Sequence, residues 1–191
     1  MDISDAKEIL GGKFSFSAVD THKVVQELNI PKDATILDVG TGLGSMAIVL
    51  ALNGYTVATG EPSDDETIYA RQNWQENAKK VGVEGQITFE AFNANSLPYG
   101  DNNFDAIFSL GSFHHIEASD RIQVLKEFMR TAKPSGLICF FEPNHDTVER
   151  IRETDEGHPD PVDPIEYASG LNLAAHKIDG INFDAFIFKK G

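Results

Sequence analysis

The stretch TILDVGTGLGS at residues 35–45, with the apolar run at 46–52 that follows it, decides the fold. Its β-branched and aliphatic residues predict a short, buried parallel strand. Three glycines then recur at every second position, Gly40, Gly42 and Gly44, and let the backbone turn tightly and approach a ligand closely. The apolar run has no helix breaker and predicts a buried helix. The stretch therefore predicts a ligand site at the carboxyl end of a strand, facing a helix N-terminus.

The spacing of these glycines indicates which ligand the site takes. A dinucleotide fingerprint requires Gly-x-Gly-x-x-Gly, whereas Ser45 stands here at the place of the third glycine. Asp38 also adds a carboxylate two residues before the first glycine. That charge would repel a pyrophosphate and would favour a cationic ligand, such as a sulfonium that carries an amino group.

Residues 37–44 of this stretch resemble motif I of the class I S-adenosylmethionine-dependent methyltransferases. Three downstream features extend the resemblance: Glu61 after the second predicted strand, NANSLPY at 93–99 before a Phe-Asp strand, and KPSG at 133–136. By motif the resemblance covers about residues 20–145, and it indicates the type 11 and ubiquinone-biosynthesis-like group. It implies an α/β fold: a three-layer, Rossmann-like architecture with a seven-stranded, mostly parallel sheet and an antiparallel terminal strand.

The resemblance also implies the cofactor, S-adenosyl-L-methionine (product S-adenosyl-L-homocysteine), and the residues that bind it. The glycine turn would approach the methionine and ribose parts, Asp38 would favour the cationic end, and Glu61 would accept the ribose hydroxyls. Asn93 stands where the family usually has an acid for the adenine amino group, and its side-chain carbonyl can accept the same hydrogen bond. The predicted cofactor-binding residues are Asp38, Gly40, Thr41, Gly42, Gly44, Glu61, Pro62, Asn93, Ala94, Ser109, Leu110 and Gly111.

Four residues are candidates for catalysis on the acceptor side. His114 and His115 follow the fourth predicted strand, and an imidazole can take up a proton near neutral pH. Glu142 and His145 follow the fifth predicted strand on the same rim of the sheet, where helix capping is the alternative role of their segment. Methyl transfer from a sulfonium needs no protein nucleophile, so these groups matter where the acceptor must lose a proton.

The sequence predicts no metal site. Neighbouring side chains diverge in regular structure, so the adjacent His114 and His115 would not chelate one ion. His158 lies near Asp160 and Asp163, which hints at a cation site. However, loops as rich in proline as this one rarely hold ligands rigidly.

Composition limits the class of partner. With 191 residues, 41% of them hydrophobic and 24% charged, the chain fits one domain, which we divide into an N-terminal helical cap (1–30) and an α/β core (31–191). A net charge of −14 argues against nucleic acid and anionic membranes as partners, so we expect a small-molecule acceptor. The single cysteine and the absence of a signal-like segment predict a cytoplasmic protein. Self-association into a homo-oligomer is left open.

Apolar periodicity predicts the remaining elements. A short helix should end at Gly11, and a second should run from about Thr21 to Pro31. The segment 14–17 between them is either a lid over the ligand or packing at the domain's edge. A capping box, Ser63–Glu66, should begin a helix that stops at Gly82. Strands are predicted at 55–60, 86–92, 104–109 and 137–141, and a terminal hairpin at 176–188.

Three other functions share parts of this pattern. An NAD-dependent oxidoreductase is disfavoured by the glycine spacing and the terminal hairpin. An aminopropyl transferase would want paired acids after the fourth strand, which the sequence lacks there. A non-catalytic binding or regulatory protein of the methyltransferase fold stays open, because Asn93 departs from the family pattern and the chain is short.

Overall fold

A seven-stranded sheet forms the centre of the computed structural model, which describes residues 1–65, 67–70 and 72–190. The strand order is β3-β2-β1-β4-β5-β7-β6. Neighbouring strands from β3 to β5 pair in parallel, whereas β7 pairs antiparallel with both β5 and β6. The strands are β1 (Ile36–Val39), β2 (Val57–Gly60), β3 (Ile87–Phe89), β4 (Phe104–Leu110), β5 (Ala132–Pro143), β6 (Leu173–Ile178) and β7 (Phe183–Lys190). This order confirms the predicted fold class.

Helices cover both faces of this sheet. They are α1 (Ile3–Leu10), α2 (Gly12–Glu27), α3 (Ser45–Leu52), α4 (Trp74–Lys80), α5 (Arg121–Thr131), α6 (His145–Arg152) and α7 (Pro164–Tyr167). Two single 3₁₀ turns lie at Glu84–Gln86 and Phe113–His115. In the described ranges, no helix combines the length and the apolar character that crossing a membrane requires.

The alternation of side chains along the strands explains the three layers. In β1, Ile36 packs into a core layer with α2 and α3, whereas its neighbour Leu37 packs into a second layer with α5. Both faces of the central strands are therefore buried, as a parallel sheet requires. Cys139, the single cysteine of the chain, lies in the first layer and is fully buried.

The second helix is longer than predicted. It begins at Gly12 instead of Thr21, because Phe14, Ala18 and Val25 continue one apolar face along the helix and are all buried. The segment 14–17 is therefore a turn of α2 and not an irregular loop.

The helix predicted from Ser63 starts only at Trp74. The capping box includes Glu66, which lies outside the described residues, and the described neighbours at 62–65 form a turn. Ile68, an apolar residue of the predicted helix, is 71% exposed, so the apolar spacing here does not mark a buried face.

Strand lengths also differ from the prediction. β3 is shorter, whereas β5 extends from Ala132 to Pro143 because it pairs with β4 on one side and β7 on the other. A register shift between Phe104 and Ala106 accommodates the residues KPSG at the start of β5. The terminal hairpin is present but begins earlier, at Leu173.

Candidate functional site

A cavity of about 780 Å³ lies at the carboxyl ends of the parallel strands. Its walls come from the glycine turn, the ends of β2 and β4, the N-terminal part of α2, and the segment from α6 to His158. This volume lies within the usual range of small-molecule sites, about 300–1,000 Å³. The position is the one that an open parallel sheet offers to ligands.

The glycine turn forms one wall of the cavity through its backbone. Gly40, Gly42 and Gly44 have φ of 98°, 47° and 78°, a region that L side chains rarely adopt. A Cβ at Gly40 would also lie 2.9 Å from the Ser112 hydroxyl oxygen. Gly40, Thr41 and Gly42 line the cavity, so a ligand there meets peptide groups instead of side chains.

Glu61 reaches from the end of β2 to this turn. Its carboxylate oxygen Oε2 accepts a hydrogen bond from the backbone N–H of Gly42 at 2.8 Å, and the residue is only 6% exposed. Both residues line the cavity, together with Pro62. The acid that was predicted to hold a ribose is therefore placed beside the backbone that was predicted to approach it.

Asp38 occupies a different place from the one predicted. It is fully buried beneath the turn and does not line the cavity. Its Oδ2 accepts from the Thr59 hydroxyl at 2.8 Å, and Thr59 also contacts the Thr41 hydroxyl at 2.9 Å. Burial and, to a smaller extent, the nearby charge of Glu61 together raise the pKa of Asp38 to about 7, against the lowering effect of the Thr59 hydrogen bond. At the end of β1 the Asp38 side chain points into the protein, so it does not contact a cationic ligand in the cavity directly.

The remaining predicted cofactor residues line the cavity, except Gly44, which begins α3 behind it. Asn93 is exposed, and its side-chain oxygen accepts weakly from the Asn95 N–H at 3.4 Å. Ala94 and Leu110 add apolar wall, and the Ser109 hydroxyl lies 2.6 Å from that of Ser112. These surroundings fit S-adenosylmethionine: a backbone cradle, an acid at the end of β2 and an amide that can meet an adenine edge.

A histidine cluster (His114, His115 and His158) forms the opposite side of the cavity. His114 is 3% exposed, and its Nδ1 lies 2.6 Å from Glu142 Oε2. Its Nε2 lies 3.2 Å from Nε2 of His158, which is 5% exposed. His115 keeps one side open to solvent, and its ring centroid lies 4.2 Å from that of His114.

Two further residues support this cluster. The Tyr69 hydroxyl lies 3.2 Å from His158 Nδ1 and donates a short hydrogen bond to Asp155. Asp155 Oδ2 itself lies 3.5 Å from the same nitrogen.

Desolvation by the surrounding side chains lowers the pKa of His115 to about 4, with His114 and His158 acting in the same direction. Burial likewise lowers the pKa of His158.

Two of the four catalytic candidates do not reach the cavity. Glu142 is buried behind His114 and accepts from the backbone N–H groups of Phe113 and His114, both at 3.1 Å. It can therefore position His114 but cannot touch a ligand in the cavity. His145 begins α6, is exposed and lines only a smaller cleft on another side. Its prediction as a catalytic residue is corrected, because α6 lines the cavity through Thr147 and Ile151 whereas His145, at the start of the same helix, does not reach it.

Sequence reasoning missed the partners of His158. It grouped this residue with Asp160 and Asp163, but Asp160 pairs with Arg152 at 2.8 Å and Asp163 caps α7. The actual neighbours are His114 and Tyr69, which lie 44 and 89 positions away in sequence. No local spacing signals such contacts. The prediction that His114 and His115 diverge was also wrong, since a 3₁₀ turn at 113–115 brings their rings together.

The N-terminal segment also contributes to the cavity. Lys13, Phe16 and Ser17 of α2 line it, and the Phe16 ring packs edge-on against Phe183 with centroids 6.0 Å apart. The segment 14–17 therefore packs against the end of the sheet and lines the cavity, and its role as a lid stays a prediction.

Comparison with known proteins places this arrangement in a family. A family model described as a methyltransferase domain matches residues 37–140, more than half of the chain. "Methyltransferase GfsG" from Streptomyces halstedii is 32% identical over 120 residues, which are 62% of this chain and 41% of that protein. "Demethylmenaquinone methyltransferase" from Bacillus licheniformis is 36% identical over 121 residues, 63% of this chain and 49% of that one. The chain thus spans about half or less of the length of these curated relatives.

Solved structures agree at the level of the fold. A putative S-adenosyl-L-methionine-dependent methyltransferase from Methanococcus maripaludis aligns with a TM-score of 0.73 at 19% identity, over 99% of this chain and 93% of that one. The PH0226 protein from Pyrococcus horikoshii aligns with a TM-score of 0.71 at 21% identity, over 95% and 93% of the two chains. The chain therefore belongs to the methyltransferase-domain family, within the class I S-adenosylmethionine-dependent methyltransferases.

Proposed function

We propose that this protein transfers a methyl group from S-adenosylmethionine to a small-molecule acceptor by in-line displacement. The observation that carries the proposal is the contact between Glu61 and the Gly42 N–H at the cavity wall. This contact supports the proposal because Glu61, our candidate acceptor for the ribose hydroxyls, lies beside a side-chain-free backbone in the cavity that the imidazoles also line. The relatives named demethylmenaquinone methyltransferase and 27-O-demethylrifamycin SV methyltransferase support a small-molecule acceptor.

The cofactor, when bound, supplies an electrophilic methyl group on a sulfonium. The chain's own residues bind and orient it. Peptide groups at Gly40 and Gly42 would accommodate the amino-acid and ribose parts, Glu61 would accept from the ribose hydroxyls, and Asn93 with Ala94 would meet the adenine. Because the reaction needs alignment and exclusion of water more than a reactive side chain, the enclosing wall from α2 is part of the machinery.

The acceptor side of the cavity is the histidine cluster. His114 and His115 remain our candidates for removing a proton where the acceptor must lose one, and Glu142 positions His114 through Nδ1. This role of Glu142 replaces the direct one that the sequence indicated.

Partners and location follow the same proposal. An acidic chain of net charge −14 favours a small-molecule acceptor over nucleic acid or an anionic membrane. The single, buried cysteine agrees with a reducing, cytoplasmic compartment. Whether copies of the chain form a homo-oligomer is left to measurement.

Calorimetry with three ligands tests the cofactor assignment. The proposal expects binding of S-adenosylmethionine and S-adenosylhomocysteine and none of NAD. An oxidoreductase would bind NAD alone, and a non-catalytic protein of this fold would bind all three weakly or not at all. Methyl transfer is then sought with radiolabelled cofactor and a panel of small hydroxyl, amine and carbon acceptors.

Replacing Glu61 tests the site itself. Glu61→Ala removes a charged acceptor of two ribose hydrogen bonds, so S-adenosylhomocysteine affinity should fall about 10- to 100-fold. Glu84→Ala, at an exposed acid in the turn before β3, should leave the affinity unchanged. An unaltered affinity in a correctly folded Glu61→Ala protein would refute the assigned role.

A further inference from the structure

We propose that the histidine cluster (His114, His115 and His158) binds one divalent transition-metal ion, of which Zn²⁺ is the natural example, on the acceptor side of the cavity. The sequence alone predicted no metal site. The three residues each offer one ring nitrogen, and these three atoms all lie within 4.8 Å of one another.

The positions of the protons support this assignment first. Nδ1 of His114 faces the Glu142 carboxylate at 2.6 Å, so it carries the proton and donates. The Tyr69 hydroxyl donates to Asp155, which leaves oxygen lone pairs facing Nδ1 of His158. That nitrogen therefore donates as well. With a single proton on each ring, at Nδ1, the two Nε2 atoms carry lone pairs that face each other at 3.2 Å. A cation between them would turn this repulsion into coordination.

The distance between these two nitrogens agrees with shared coordination. Two imidazole nitrogens bound to one tetrahedral Zn²⁺ at about 2.0–2.1 Å lie roughly 3.3–3.4 Å apart. The observed 3.2 Å lies close to this value, so these two nitrogens could hold an ion with a small movement of their rings. The three donor atoms together lie within 4.8 Å of one another, so the exposed ring of His115 would turn towards the other two to complete the coordination. Imidazole is a common ligand of Zn²⁺, Cu²⁺, Ni²⁺ and Fe²⁺, whereas Mg²⁺ and Ca²⁺ prefer oxygen, so the chemistry selects a transition metal.

The outer contacts are also those of a metal site. Ligating histidines usually donate their second nitrogen to a carboxylate or another acceptor, which fixes the ring and raises its basicity. Glu142 serves His114 in this way and is itself held by two backbone N–H groups. Tyr69 and Asp155 serve His158.

Three protein ligands leave a coordination position that can face the cavity. All three histidines line the cavity, and His115 remains open to solvent. A site with three protein ligands and one open position is typical of catalytic zinc. Resting on the proposed function, an acceptor with an ionisable O–H or S–H would bind there as the anion. With the ion bound, His114 and His115 would act as ligands in place of their role as bases: the acceptor's proton would leave to solvent, and the electron pair of the broken bond would stay on the coordinated atom.

Metal titration of tag-free protein tests the site without any cofactor. Protein stripped with chelator and dialysed is titrated with Zn²⁺ by calorimetry, and with Co²⁺ by visible absorption. We expect one ion per chain and an absorption band of four-coordinate Co²⁺. His158→Ala and His114→Ala should each lower the affinity at least about 10-fold, whereas His176→Ala, at an exposed histidine on β6, should not.

A second variant covers the case in which loss of a ligand unfolds the chain. Glu142→Gln keeps all three ligands but weakens the contact to Nδ1, so Zn²⁺ affinity should fall about 10- to 100-fold. X-ray absorption of Zn²⁺-loaded wild-type protein should show imidazole scattering from three ligands. Folded wild-type protein that binds no Zn²⁺, or that binds it without imidazole scattering, would overturn the site. If His114 and His158 instead share a proton between their Nε2 atoms, the folded wild-type protein would bind no Zn²⁺.

Failure of the metal site and failure of the proposed function are separable. S-adenosylhomocysteine binding is measured on the chelator-stripped protein, where the metal proposal predicts no requirement for the ion. Zn²⁺ binding with no cofactor binding would uphold the metal site and reject methyl transfer. Cofactor binding without Zn²⁺ binding would reject the metal site and uphold the proposed function.

Discussion

At the scale of single residues, Asp38 departs furthest from its predicted role. Its place in motif I indicated a direct partner for a cationic ligand, but its carboxyl group lies beneath the glycine turn against Thr59. There it joins the ends of β1 and β2 through the hydroxyls of Thr59 and Thr41. A buried carboxyl of this kind is costly to ionise, and this cost should be visible in the stability of the protein.

The pH dependence of stability tests this account of Asp38. Its pKa is raised from 3.8 to about 7 in the folded chain. Below about pH 4 the group is protonated in both states; between pH 4 and 7 only the unfolded state ionises, so stability falls as pH rises and then levels off above 7. The difference between the two pKa values corresponds to a loss of about 4 kcal/mol in the free energy of unfolding above pH 7. Asp38→Asn cannot ionise and should escape this loss.

Urea unfolding of both proteins between pH 4.5 and 8 measures this effect. The stability of Asp38→Asn relative to wild type should increase with pH and become constant above pH 7, because other titrating groups cancel in the difference. A difference that does not vary with pH would contradict the raised pKa of Asp38.

At the scale of elements, the attachment of α2 decides the shape of the cavity. Asp20 of this helix is buried and accepts hydrogen bonds from the backbone N–H groups of Ile181, Asn182 and Phe183, at 2.8, 2.8 and 3.0 Å. Ile181 and Asn182 lie in the connection from β6 to β7, and Phe183 is the first residue of β7. The contact therefore fixes the helix that carries Phe16 to the strand end that carries Phe183, and both side chains line the cavity.

Removing this contact should affect both stability and ligand binding. Asp20→Ala leaves three backbone donors without their acceptor, so the free energy of unfolding should fall by about 3 kcal/mol or more. S-adenosylhomocysteine affinity should fall as well, because the wall formed by α2 is no longer held. Lys23→Ala, at an exposed position of the same helix, should change neither quantity. Denaturant unfolding and calorimetry supply the two measurements; wild-type stability in Asp20→Ala would show that the helix is held by apolar packing alone.

At the scale of the whole molecule, charge is the dominant feature. The chain has 30 acidic and 16 basic side chains, and its isoelectric point is near 4.7. An excess of one sign destabilises the compact state through self-repulsion, and dissolved salt screens this repulsion.

Stability should therefore rise with salt at neutral pH. Between about 10 mM and 500 mM NaCl at pH 7.5 we expect the melting temperature to increase by about 2–4 °C, equivalent to about 1 kcal/mol for a chain of this size. At pH 4.7, where the net charge is near zero, the increase should disappear. Calorimetric melting curves at both pH values check this, and an equal increase at both would point to a general salt effect instead of charge repulsion.

The sequence by itself determined the family, the α/β fold class and the cavity wall built on the glycine turn. These follow from short-range patterns: glycines at fixed spacing, buried apolar runs, and an acid directly after β2. Each pattern can be recognised in the sequence because the residues that act together lie within a few positions of one another.

Only the tertiary structure decided the rest. His158 meets His114 and Tyr69 across long stretches of chain, Asp20 meets the turn before β7, and Asp38 points inward instead of into the cavity. The ends of segments distant in sequence are brought together by the packing of the sheet and its helices, and periodicity within one segment carries no information about which other segment it will face. The histidine cluster is therefore a product of the fold.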